Sequence, residues 1–219
     1  MKNKLLLVAF VLTLGLATKT TQAQVFYEGV NHLNVGVGLG GYGSYAYISG
    51  SDYSRTPTIF LSFDHGFMDD LGPGNLGLGA FLGFSSAHAN YNYAGLGYEW
   101  DYKWSNFVIG ARGTYHLLLD VDNVDLYGAL SLGLWAQTYK YTNTDPYWNG
   151  TLDASDTYMN LYYAFSVGGK YMFSENFGAF AELGYDVAYL KLGVTLGLYF
   201  LKTILKIRIG IKLIRIFYL

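Results

Sequence analysis

The chain has 219 residues, 52% of them hydrophobic and only 14% charged, with a formal net charge of −2 and no cysteine. Soluble domains normally carry about a quarter of their residues as charges, so this composition disfavours an ordinary soluble domain. The lack of cysteine excludes disulfides, thiolate nucleophiles, cysteine-based zinc sites and a lipid-modified N-terminal cysteine.

At the N-terminus, Lys2 and Lys4 precede an apolar run over 5–16 and a small-residue stretch ending at Thr21-Gln22-Ala23. This is the charged region, apolar region and cleavage site of a signal peptide over 1–23, with Gln24 as the mature N-terminus. The run is too short for a spanning helix, which needs about 20 apolar residues. Beyond it, apolar residues are dispersed, alternating with glycine and polar residues. Residues 24–200 hold six basic and sixteen acidic side chains, a net charge of −10, which makes nucleic acid a poor partner.

Eight segments alternate with a period of two and are expected as strands. In 30–42, Leu33, Val35, Val37 and Leu39 oppose His32, Asn34, Gly36 and Gly38. In 58–67, Ile59, Leu61 and Phe63 oppose Phe60, Ser62 and Asp64. In 75–85, Leu76, Leu78, Ala80, Leu82 and Phe84 oppose glycines, Phe81 and Ser85. In 104–118, Phe107, Ile109, Ala111 and Tyr115 oppose Gly110, Arg112, Thr114 and His116. The segments 126–141, 158–173, 177–186 and 189–200 continue the pattern, with Lys170, Glu182 and Lys191 on the small or polar side.

Three long polar connections (43–57, 86–103 and 142–157) alternate with three short ones (69–75, 119–125 and 174–176). Alternate connections of an up-and-down sheet share an end, and long loops on one side with short turns on the other belong to outer-membrane barrels. The expectation is an all-β, eight-stranded antiparallel up-and-down transmembrane β-barrel over 24–200, apolar outside and polar inside. A soluble sandwich or lipocalin-like barrel would turn the apolar rows inward and leave the glycine rows in water. Tyr42, Trp104, Tyr141 and Tyr158 near the long loops, with Phe173 and Phe200 at the other end, are expected to form aromatic girdles at headgroup level.

Residues 76–83 (LGLGAFLG), 109–116 (IGARGTYH) and 182–195 (ELGYDVAYLKLGVT) resemble the small outer-membrane β-barrel proteins of the porin-family, OmpA/OmpX/OmpW-like group. The resemblance covers most of the chain. It implies the outer membrane of a Gram-negative bacterium, contact with outer-membrane lipid and lipopolysaccharide, and a monomer. It also implies insertion by the barrel-assembly machinery, for which a terminal aromatic such as Phe200 is the signal. The basic extension 201–219 departs from that pattern. It reads as a loosely ordered tail, as a further β-branched strand, as an amphipathic helix at the membrane surface, or as the product of a shifted reading frame.

Asp64, Arg112, Lys170, Glu182, Asp186 and Lys191, with His116, are expected in the interior. Asp186 should face Lys191, Lys170 should lie diagonal to Glu182, and Arg112 should sit at the height of Glu182. A narrow interior requires such charges to pair. The residues therefore favour a plugged lumen with a structural or surface-interaction role carried by the aromatic loops. A narrow or gated path for ions or small solutes is the alternative. A third reading is a lipid A-modifying enzyme using Ser86 and His88, but a Ser-x-His pair alone specifies no catalytic geometry. No catalytic residue, metal or cofactor is assigned: the loop acids lack calcium-loop spacing, and the glycines lack the helix that follows a phosphate loop.

Overall fold

The alternating pattern produces strands because branched and aromatic side chains fit a pleated surface with one apolar face. The computed structural model describes residues 25–40, 52–93, 98–144 and 152–198. They form one antiparallel sheet of nine strands: β1 (Asn31–Leu39), β2 (Asp52–Arg55), β3 (Thr58–Met68), β4 (Gly74–Tyr93), β5 (Tyr98–Leu117), β6 (Val124–Asn143), β7 (Leu152–Ser174), β8 (Phe177–Tyr185) and β9 (Leu190–Gly197). The order is β2-β4-β3-β1-β9-β8-β7-β6-β5, and β4 also pairs with β5. Each of β1 and β3–β9 has a partner on both sides, whereas β2 pairs only with β4.

The expected eight-stranded barrel is corrected by this nine-stranded sheet. The additional strand, β2, lies inside the expected loop 43–57 and pairs through Asp52↔Asn90 to Arg55↔Ala87. It can do so because β4 does not stop at Ser85 but runs on to Tyr93, past the end of β3, and exposes backbone groups that need partners. The expected loops 86–103 and 142–157 are likewise largely strand: β5 begins at Tyr98, β6 runs to Asn143 and β7 begins at Leu152. Their polar and aromatic residues keep the alternation and pair in register from Ser86↔Ser105 to Tyr93↔Tyr98. The expected signal peptide, Tyr42, Phe200 and the extension 201–219 lie outside the described residues.

Burial follows the two-residue period. Leu130, Leu132, Leu161 and Val167 are well exposed, Leu130 at 71%, whereas Asp64, Arg112, Glu182 and Lys191 on the opposite face are at most 3% exposed. Arg112 on β5 reaches both Asp64 on β3 and Glu182 on β8. These strands are not sheet neighbours, so the sheet curls around its polar face.

Both ends of that face are filled. At the short-turn end, residues 25–30 tuck beneath the sheet. Gly29 N donates to Gly66 O at 2.8 Å and Gly66 N to Val30 O at 2.9 Å. The Asn75 amide donates to Phe26 O at 2.8 Å, and Phe26 is 2% exposed. The turns there hold Asp70 (φ 58°) and Asn123 (φ 65°), residue types that tolerate the left-handed region. At the other end, the β8–β9 connection bends inward and buries Val187 and Ala188. Val187 joins an apolar layer with Phe60, Phe81, Val108, Tyr162, Ala164 and Phe180.

Candidate functional site

The centre of the buried face gathers three carboxylates, Asp64, Glu182 and Asp186, and three cations, Arg112, Lys170 and Lys191. Glu182 and Lys191 are cross-strand partners on β8 and β9, so their side chains start on the same face. Lys191 Nζ contacts both Glu182 Oε2 and Asp186 Oδ2. Asp186 Oδ1 also accepts from Tyr162 OH and from the Val187 amide at 2.6 Å. Glu182 Oε1 accepts from Arg112 Nη2 at 2.9 Å and Tyr127 OH at 2.7 Å.

Asp64 lies on the other side of Arg112. Arg112 Nε is 3.0 Å from Asp64 Oδ1, close enough for an ion pair although its angle is outside hydrogen-bond geometry. Asp64 Oδ2 accepts from the Asn34 amide at 2.8 Å and has Lys170 Nζ at 3.7 Å. Thr195 Oγ1 donates to Asn34 Oδ1 at 2.8 Å, carrying the network to β9. The structure thus brings Asp186 to Lys191 and Arg112 to Glu182, but it sends Lys170 to Asp64 rather than to Glu182. The formal charges of these six groups cancel, and a fourth buried carboxylate, Asp125, has His116 as its partner. Aromatic faces close the gaps: Lys191 Nζ is 4.2 Å from the Phe60 ring centroid and Lys170 Nζ is 4.9 Å from that of Tyr127.

His116 stands nearer the short-turn end. Its Nδ1 contacts the Asp125 carboxylate at 2.8 and 2.9 Å, and its Nε2 lies 2.9 Å from Thr114 Oγ1. The Phe26 ring stacks on it with centroids 3.5 Å apart. Sequence reasoning missed both Phe26 and Asp125 as parts of this interior. Phe26 lies between the expected cleavage site and the first strand, outside any alternating segment, and Asp125 falls in the expected short turn 119–125.

Among the expected aromatic girdle residues, Phe173 is exposed on the apolar face. Trp104, Tyr141 and Tyr158 fall on the parity of Arg112, Ser131 and Tyr162; Trp104 and Tyr141 are half-buried, whereas Tyr158 is 56% exposed. Trp104 and Tyr141 join Tyr102 and Tyr139 in a half-buried cluster, with ring centroids 5.0–6.2 Å apart. Such cross-strand aromatic pairs stabilise strands that have no core beneath them.

No contact joins Ser86 to His88. Ser86 Oγ donates to Trp104 O at 3.1 Å, and His88 Nε2 meets Asp101 Oδ2. Among the described residues, no group of three or more His, Cys, Asp or Glu side chains is placed to hold a metal.

No protein-family description matches the chain, and no curated protein does. Among solved structures it is similar to Ail, the attachment invasion locus protein of Yersinia pestis, at 16% identity and a TM-score of 0.37, covering 78% of this chain and 96% of that one. The complex of Ail with the heparin analogue sucrose octasulfate gives a TM-score of 0.36 at the same identity and coverage. The N-terminal β-barrel domain of Pseudomonas aeruginosa OprF gives 17% identity, a TM-score of 0.34, and coverage of 78% of this chain and 95% of that one. Likeness at such TM-scores carries no weight for function, which has to come from the chain's own residues.

Proposed function

We propose that the chain is an outer-membrane β-sheet protein of a Gram-negative bacterium, with residues 1–23 as its signal peptide, a filled polar interior and a structural or surface-interaction role. One observation carries this reading: the leucine, valine and phenylalanine rows face outward while ion pairs occupy the inside. In water that arrangement is unfavourable on both faces; in lipid it is favourable on both. The apolar band also has a suitable height. The ten steps from Phe107 to Leu117 on β5, at about 3.3 Å each and a tilt of roughly 40°, span about 25 Å. Strands with partners on both sides leave few backbone groups unsatisfied in hydrocarbon. Contact with outer-membrane lipid and lipopolysaccharide, insertion by the barrel-assembly machinery and a monomeric state belong to this reading.

The absence of native cysteine makes the test direct. Single-cysteine variants Leu132→Cys and Lys140→Cys are reconstituted in bilayers and treated with a water-soluble maleimide. Lys140→Cys is expected to label and Leu132→Cys to resist until detergent is added. Equal labelling of both in bilayers sinks the membrane reading.

A narrow ion or solute path is the second reading, favoured by the ionisable groups of the interior. It requires discrete conductance from the purified protein in planar bilayers, and a silent bilayer removes it. Lipid A modification is disfavoured because Ser86 and His88 have separate partners; His88→Ala is expected to leave the lipid A mass profile unchanged.

A further inference from the structure

The register of β4–β7 lays the outward side chains in level rows. Phe84, Phe107, Ala136 and Met159 stand opposite one another. The next row away from the short turns is Ser86, Ser105, Thr138 and Thr157, and the one after it is His88, Lys103, Lys140 and Ser155. The surface therefore passes from apolar to hydroxyl on all four strands, and then to His88, Lys103 and Lys140 on β4–β6 with Ser155 on β7.

Lys103 and Lys140 are direct cross-strand partners, and both are exposed. Like charges directly opposite each other destabilise a sheet. Among the described residues neither lysine has an ion-pair partner: Asp101, one row beyond, is engaged by His88. Two adjacent ammonium groups over a row of hydroxyls form a donor set for one dianionic oxygen cluster.

We propose that Lys103 and Lys140, with Ser105 and Thr138 below them, bind the phosphate of a lipid headgroup. This rests on the membrane reading, because depth selects the occupant. The basic row lies four residues beyond the last apolar row, about 13 Å along the strand and about 10 Å in height at the usual tilt. Headgroups occupy that level just above the hydrocarbon, and the lysine stems can lean toward it. The site is one-sided. β1 ends at Leu39, β8 at Tyr185, and β3 and β9 begin at Thr58 and Leu190, so those strands present no basic residue at this height.

The test uses the full mature protein reconstituted in phosphatidylcholine bilayers, with spin-labelled phosphatidic acid or spin-labelled phosphatidylcholine as probe. The wild type is expected to hold phosphatidic acid roughly tenfold more strongly. The double variant Lys103→Gln/Lys140→Gln should lose most of that preference while keeping its strand content, since both side chains are exposed. A wild type without preference, or a double variant that retains it, overturns the proposal and reduces the lysines to solvated surface charges. If millimolar inorganic phosphate abolishes the preference, the row reads a free anion and the headgroup assignment falls. Protein that fails to enter the bilayer at all overturns the membrane reading and this inference with it. Inserted protein without lipid preference overturns the inference alone.

Discussion

The two halves of the sheet differ in height. β4–β7 have 20–23 residues each, whereas β1, β3, β8 and β9 have 8–11. The short half ends where its buried face ends, at the inward-bent connection that buries Val187 and Ala188. The tall half continues with no charge network beneath it and keeps its form by register and aromatic pairing. Its lower part therefore serves the shared interior, and its upper part is a separate ribbon with its own sources of stability. Arg112, on the tall half, joins the two by contacting Asp64 and Glu182 on the short one.

Arg112→Ala should have the largest effect, because it leaves two buried carboxylates without their shared cation. A loss of about 3–5 kcal/mol is expected from urea unfolding in micelles. A loss under about 1 kcal/mol would mean that the halves are not held by this residue. The next effect separates the two faces of the tall half. A Cβ at Gly133 would lie 2.1 Å from the Ile109 carbonyl oxygen, whereas one at Gly128 meets nothing within 4 Å. Gly133→Val should cost about 1–3 kcal/mol, and Gly128→Val should stay within about 0.5 kcal/mol. Equal costs would show that the outward face is as crowded as the inward one. The most local effect is expected at Trp104→Ala, about 1 kcal/mol. Amide exchange should accelerate between residues 100 and 106 and their partners on β6 while β1 is unchanged. Acceleration throughout the sheet would join ribbon and core into one cooperative unit.

Much of this was legible in the sequence. The alternation of Leu76, Leu78 and Leu82 with Gly77, Gly79 and Gly83 identifies a strand and its faces without coordinates. The strand ends were not legible. Between Ser86 and Lys103 the alternation is of histidine, asparagine and aspartate with tyrosine and tryptophan, which reads as loop composition until a partner in register is seen. β2 has four residues, and its pairing depends on how far β4 extends. The candidate site was only partly legible within hairpins: counting from the turn sets Asp186 opposite Lys191, whereas the register pairs Lys191 with Glu182 and Asp186 reaches it from the connection. It was not legible across the interior: Lys170 meets Asp64 because the sheet curls, and curvature leaves no mark on the spacing of either residue. Phe26 was missed for a related reason, since nothing in its neighbourhood repeats.

The connectivity of the buried charges also bears on when they can be neutralised. Arg112 and Glu182 are 70 residues apart, and Lys170 and His32, which also touch, are 138 apart. The earlier strands can pair Arg112 and Lys170 with Asp64 and His116 with Asp125, but Glu182, Asp186 and Lys191 all arrive with the final hairpin. A nascent molecule lacking the final hairpin would hold Arg112 with one carboxylate instead of two and would have no Lys191. On the membrane reading, docking of the final hairpin would therefore complete the coordination of Arg112 before the sheet settles in hydrocarbon.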